Sequence, residues 1–412
     1  MRLPVNLSEA VDAGSSELSH LAFYFGQWFL VIMAALGVGL RTSVLVPIAG
    51  FDYGHVLHAH SHVGFLGWIF NAFLGLALAC FMPFTDWVRF RTIFIVAQVG
   101  VVGMLISYPI QGYGPVSIAF STLHMSCAVL FAWRLWRRNT AHAEARGYLK
   151  WALGFMVISG LGPLALGPLA ALGWRESPVY LLAIYFYLHF QYNGWFVFFL
   201  LAVFQQQRTS GGATPRSVEV RWPLASLATG TVLTFAQSTL WLAPSGWVFG
   251  LAGVGGALQL VGFGGLMQSW RRTALRDAGP GDQLFKLAWG AFGLKLALQF
   301  MMAWPGMAAM ANSRFTVIAF LHLVFLFVVT PVLWAWSLQW GWVTLTRRVK
   351  WGLGGWLGGA VATESLLIAV PLSVEIDPVW LLKLLLAAAV AMLVGAVLMI
   401  GRRPAATKSP SG

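Results

Sequence analysis

Four of the nine histidines in this chain, His55, His58, His60 and His62, fall within eight residues, and an apolar run from Val63 to Met82 follows at once. Imidazole without thiolate partners suits haem iron, copper or zinc. On a helix, His55, His58 and His62 share one face at spacings of three and four. Such a cluster at the mouth of a membrane helix is costly unless something binds it, so the stretch reads as a metal or haem site. Cys80 and Cys127 stand alone in apolar sequence and imply neither a disulfide framework nor a thiolate site.

Three more histidines lie deep in apolar sequence: His124, His189 and His322. Ionisable groups at membrane depth are rare and usually functional. Each could instead hydrogen-bond a neighbouring helix, an alternative that weighs as much as ligation for His124 and less for the other two. Around His189, Tyr185 and Tyr192 are four and three residues away, and Asn193 extends the same polar face. A phenol beside a metal-bound imidazole could donate a proton or hydrogen bond, or these tyrosines could be interfacial. Lys295, with Gln299 one turn on, and Glu364 are charges in mid-run that suit a proton relay, or a structural ion pair with each other. His20 and His142 read as solvated.

The elements that must carry these residues are transmembrane helices. The chain is 58% hydrophobic and 9% charged, against about 25% charged in soluble chains, so it belongs in a lipid bilayer. Apolar stretches of roughly 20 residues, enough to span the hydrocarbon core, occur at 22–40, 56–82, 92–110, 115–136, 151–173, 178–204, 223–243, 246–268, 284–304, 315–338, 352–373 and 378–401. The expectation is all-α, a multi-pass bundle of twelve helices. The first twenty residues carry Glu9, Asp12 and Glu17 without a basic leader, so no signal peptide is expected.

Lys and Arg alternate along the connections. Those after even-numbered stretches hold two to five each: Arg89 and Arg91; Arg134, Arg137, Arg138, Arg146 and Lys150; Arg208, Arg216 and Arg221; Arg271, Arg272, Arg276 and Lys286; Arg347, Arg348 and Lys350. The tail adds Arg402, Arg403 and Lys408, whereas the odd-numbered connections hold only Arg41, Arg175 and Arg314. The positive-inside rule then places both termini in the cytoplasm of a bacterial-type inner membrane. The net charge of +13 is thus a topology signal, and a nucleic-acid partner is not expected. Residues 207–222, rich in Ser, Gly and Thr around Pro215, read as a linker between halves 1–206 and 223–412 of one membrane domain.

On this topology the second, fourth, sixth and tenth stretches bring His58 or His62, His124, His189 and His322 to one layer. At about 1.5 Å per residue it lies roughly 10–16 Å below the outer surface. A buried porphyrin needs an axial imidazole, aromatic packing and basic partners for its propionates. Trp68 supplies packing, as do Trp195, Gly64, Gly67 and Gly194, and the outer-side Arg41 and Arg314 are the basic candidates.

Twelve helices with histidines on the second, sixth and tenth resemble the catalytic subunit of haem–copper oxidases and the related nitric oxide reductases. His58-Ala-His60 before a Gly-containing apolar run is similar to the opening of a helix in NnrS-type haem- and copper-containing membrane proteins. The resemblance implies low-spin haem ligands at His58 or His62 and at His322, with a copper ligand and nearby tyrosine at His189 and Tyr192. The chain departs from the family on the seventh helix, where Gln237 stands in place of a His-His pair, and on the tenth, which has one histidine.

The function expected is a membrane protein binding haem b, with copper as a second option, that acts on nitric oxide or dioxygen as an oxidoreductase or passes electrons from a donor. The rivals are a transporter of haem, a metal ion or a small solute, with Lys295 and Glu364 as coupling residues, and a cofactor-free assembly subunit.

Overall fold

The computed structural model describes residues 17–83, 86–211, 217–272, 281–311, 313–372 and 376–401. Residues 212–216 of the expected linker, with Arg216, Arg276, Arg402, Arg403 and Lys408, lie outside the described residues.

Every described element is helical: α1 (Glu17–Leu45), α2 (Tyr53–Phe81), α3 (Val88–Gln111), α4 (Pro115–Arg138), α5 (Ala143–Ala171), α6 (178–210), α7 (Ser217–Leu233, continued by a 3₁₀ stretch to Leu242), α8 (Gly246–Arg272), α9 (Asp282–Met301), α10 (Arg314–Gln339), α11 (Arg347–Ala369) and α12 (Pro378–Met399). Each covers most of one of the twelve apolar stretches. Among the described residues, nine of these helices are long and apolar enough to cross a bilayer: α1 to α5, α8, α9, α10 and α12.

Helix starts follow local chemistry. Ser177 and Asp377 cap α6 and α12 through their side chains and are followed by Pro178 and Pro378, whose fixed φ suits a first helical position. Asp52, Ser313 and Thr346 cap α2, α10 and α11 in the same way. The α3–α4 turn passes through Gly112 at φ +57, where a side chain would be strained.

Packing divides the chain into two units. One holds the described residues of 141–278 and 283–332, and the other those of 2–140, 279–282 and 333–412. In the first, α5 packs on α6 and α7 on α8; in the second, α1 packs on α2 and α12, α3 on α4, and α11 on α12.

Three helices share one departure from α geometry. In α2 the α-helix ends at His62 and a π-helix runs from Val63 to Ile69 before α-helix resumes. In α6 it ends at His189 and the π-helix spans Phe190–Phe196; in α10 it ends at His322 and the π-helix spans Leu323–Val329. π-Segments cost hydrogen-bond geometry and concentrate at functional sites. Here each begins immediately after a histidine.

Candidate functional site

Of the four clustered histidines, His55 and His60 each have a partner of their own, and His58 and His62 share Tyr108 and Tyr113. The His55 ring covers Gly112, where an added Cβ would lie 2.6 Å from its atoms. His60 Nδ1 meets the Met33 carbonyl at 2.8 Å. His58 packs on Tyr113, ring centroids 4.5 Å apart, and His62 on Tyr108 at the same separation. Among the described residues no three His, Cys, Asp or Glu side chains converge as a metal-ion site. Just outside the helix, the exposed Asp52 accepts from the His55 backbone N–H at 2.8 Å, and that bond holds its carboxyl below the usual carboxylate range.

His62 itself is defined by two hydrogen bonds. Its Nδ1 lies 2.9 Å from the His58 carbonyl one turn back, and its Nε2 lies 3.1 Å from the Tyr108 hydroxyl. A carbonyl only accepts, so Nδ1 carries the proton; Nε2 then presents a lone pair, which the phenol O–H donates to. An imidazole whose Nδ1–H is anchored on a backbone carbonyl is the arrangement that orients metal-bound histidines. Below it, Gly67 meets Phe29 of α1 at a distance that excludes a Cβ, and the buried Trp68 packs on Phe23.

His124 in α4 is fully buried in the same unit. Its ring stands edge-on to Phe70 at 4.7 Å, and neither nitrogen meets hydrogen-bond geometry, although the Leu66 carbonyl faces it. Also in this unit, Arg41 of α1 is within electrostatic reach of Glu364 on α11. His20, expected in solvent, stacks on Trp342 with ring centroids 5.7 Å apart.

In the other unit, His189 is buried and both its nitrogens are engaged. Nε2 donates to the Thr231 carbonyl at 2.8 Å, and Nδ1 accepts from the Asn193 amide at 3.1 Å. Thr231 is itself a node, since Gln259 of α8 donates to its hydroxyl at 2.9 Å. Tyr192 sits 6.4 Å from the His189 ring and equally far from Phe320 and Phe325 of α10. Tyr185 turns instead toward Trp241. Lys295 is buried, donates to Gln299 and lies over the rings of Phe292 and Phe320 at 5.9 and 5.8 Å. Gln237 donates to the Gln299 carbonyl. His322 is half-buried, and Arg314 is exposed at the start of α10.

The structure therefore gathers His58 and His62 with Tyr108 and Tyr113, and gathers His189 with Tyr192, Asn193 and, through Phe320, Lys295. Neither Tyr108 nor Tyr113 stands out in sequence as a partner of the cluster. A signal was present for the repeated device: His62-Val-Gly-Phe-Leu-Gly67-Trp68 and His189-Phe-Gln-Tyr-Asn-Gly194-Trp195 share His, Gly and Trp at the same offsets.

No protein-family model and no curated protein matches the chain. Among solved structures it is similar to a haem–copper terminal oxidase dimer determined by cryo-EM, with a TM-score of 0.64 at 11% identity, over 92% of this chain and 82% of that one. The chain is thus an all-α membrane protein with the fold of a haem–copper oxidase.

Proposed function

We propose that the chain is an integral membrane haem protein acting in nitric oxide or dioxygen chemistry or in electron transfer. The observation that carries this is His62, an intramembrane imidazole oriented through Nδ1 on a backbone carbonyl with Nε2 left as the lone-pair donor. Haem suits such isolated histidines because the porphyrin brings four nitrogens and asks the protein for one or two axial ligands. Copper, which imidazole also suits, is the second option, with His189 as its ligand.

His62, or His58 one turn earlier, and His322 are each assigned as axial ligands, with Arg41 and Arg314 as propionate partners. Trp68, buried against Phe23, is assigned as aromatic packing for the group. When bound, the haem would supply one-electron chemistry and an iron for a small gas ligand. Tyr192, its ring 6.4 Å from that of His189, is assigned as a proton or hydrogen-bond donor, and Lys295 and Glu364 as buried charged groups of a proton relay. A redox partner would deliver the electrons. The membrane in question is the plasma membrane of bacterial type.

The test is a reduced-minus-oxidised optical spectrum of the purified protein. Sharp haem bands that vanish in His322→Ala, or in the His58→Ala/His62→Ala pair, support the reading; bands unchanged in all of them remove these ligands. One observation favours the rival reading, transport of haem, a metal ion or a solute: Lys295 is a buried cation whose hydrogen-bond partner is the neutral Gln299. Uptake by vesicles that is abolished in Lys295→Met, from a protein without haem bands, would favour it.

A further inference from the structure

We infer that Tyr108 is the positioning residue of the His62 imidazole: its hydroxyl holds the Nε2 lone pair and competes with any metal for it. The inference rests on the haem reading for the identity of that metal, and on geometry for everything else.

Tyr108 comes from α3, is fully buried, and belongs to the apolar cluster of Phe29, Ala59, Val63, Val101 and Met104. A phenol so placed loses the hydrogen bonds of water and keeps one only if a partner is built in. Its hydroxyl lies 3.1 Å from His62 Nε2. Two features make this more than burial of a polar tip. The His58 carbonyl already fixes the proton on Nδ1, so the phenol must be the donor and the imidazole the acceptor. Tyr113, in the turn that Gly112 allows, backs the Tyr108 ring at 5.2 Å and the His58 ring at 4.5 Å. The phenol therefore has rings behind it as well as the imidazole before it.

Two consequences follow. Tyr108 and the His58 carbonyl together select the tautomer that a metal at Nε2 requires. A metal reaching Nε2 must also displace the hydroxyl, so the strength of one hydrogen bond is subtracted from its affinity. Replacing Tyr108 by Phe keeps the ring and deletes the competitor.

The experiment uses the full-length protein in detergent as wild type, Tyr108→Phe and Tyr113→Phe. One readout is haem b affinity by optical titration. The second is the rate at which the His62 lone pair attacks diethyl pyrocarbonate and is ethoxycarbonylated, with ethyl carbonate leaving, measured by peptide mass spectrometry. In Tyr108→Phe both should rise, haem affinity by about 2- to 10-fold, the equivalent of one neutral hydrogen bond. Tyr113→Phe should match wild type in both.

Unchanged acylation with unchanged or weaker haem binding in Tyr108→Phe would overturn the assignment and leave Tyr108 a packing residue. Faster acylation in a protein that binds no haem in any form would uphold Tyr108 and sink the haem reading instead. Should Tyr108→Phe not fold, ¹⁵N-histidine spectra of the wild type decide: an Nδ1–H tautomer with a hydrogen-bonded Nε2 at His62 agrees, and an Nε2–H tautomer contradicts.

Discussion

His62 and His189 occupy the same step of the same device, the last α-helical residue before a seven-residue π-helix, with Gly and Trp at the same offsets beyond. Yet they carry opposite tautomers. His62 donates through Nδ1 to its own helix and offers Nε2 to a hydroxyl, a group that can turn away. His189 donates through Nε2 to the Thr231 carbonyl, which is fixed by its helix, and spends Nδ1 on Asn193. A repeated backbone feature thus places an imidazole at each site, and the neighbours decide whether it is available as a ligand. This comparison favours His62 for metal and gives His189 the character of a joint between α6 and α7.

The largest effect that could break this contrast is in stability. His189→Ala leaves the buried Asn193 amide without its acceptor, at about 1–3 kcal/mol, and takes one of two donors from the Thr231 carbonyl, the Thr234 hydroxyl keeping the other. His62→Ala takes one acceptor from the Tyr108 hydroxyl and one donor from the His58 carbonyl, which keeps the Ser61 hydroxyl, and should cost less. Thermal unfolding in detergent checks the order, and a reversed order would mean the partners are misassigned. Next, Gly67→Ala and Gly194→Ala each push a methyl to 2.7 Å or less from Phe29 and Phe155, an overpacking cost of about 1–3 kcal/mol. Equal losses would confirm that the two devices are packed alike.

A smaller effect is expected for Asn193→Ala, about 0.5–1.5 kcal/mol for one hydrogen bond, with haem content unchanged. Smallest is the pH response of the α2 cap. Asp52 has its carboxyl lowered in the folded chain, so the cap contributes above the ordinary carboxylate range near pH 4 and fades as pH falls through the lowered value. Asp52→Asn should remove that acid sensitivity, read as a flatter unfolding temperature between about pH 5 and 3, at little other cost.

The fold was readable because bilayer solvation leaves few choices: each of the twelve apolar stretches became helix, and the intramembrane histidines stood out against a 58% hydrophobic background. The site was less readable. Spacing put His55, His58 and His62 on one face but could not show that Gly112 of the α3–α4 hairpin meets His55 while Tyr108 and Tyr113 pack on His58 and His62. Those pairings are made by residues about fifty positions away. Periodicity also assumes 3.6 residues per turn, which the π-helices break just where the histidines end. Tautomers depend on which carbonyl faces which nitrogen, and Thr231 gave no sign of itself in sequence.

The central claim is that this chain carries haem on its intramembrane histidines, and its most direct test is the haem-to-protein ratio of the wild-type protein purified from haem-replete cells. A haem-bearing chain should be coloured, with about one haem or more per chain, released on denaturation as b-type haem rather than remaining covalently attached. A colourless preparation, free of haem and of metal, would contradict it.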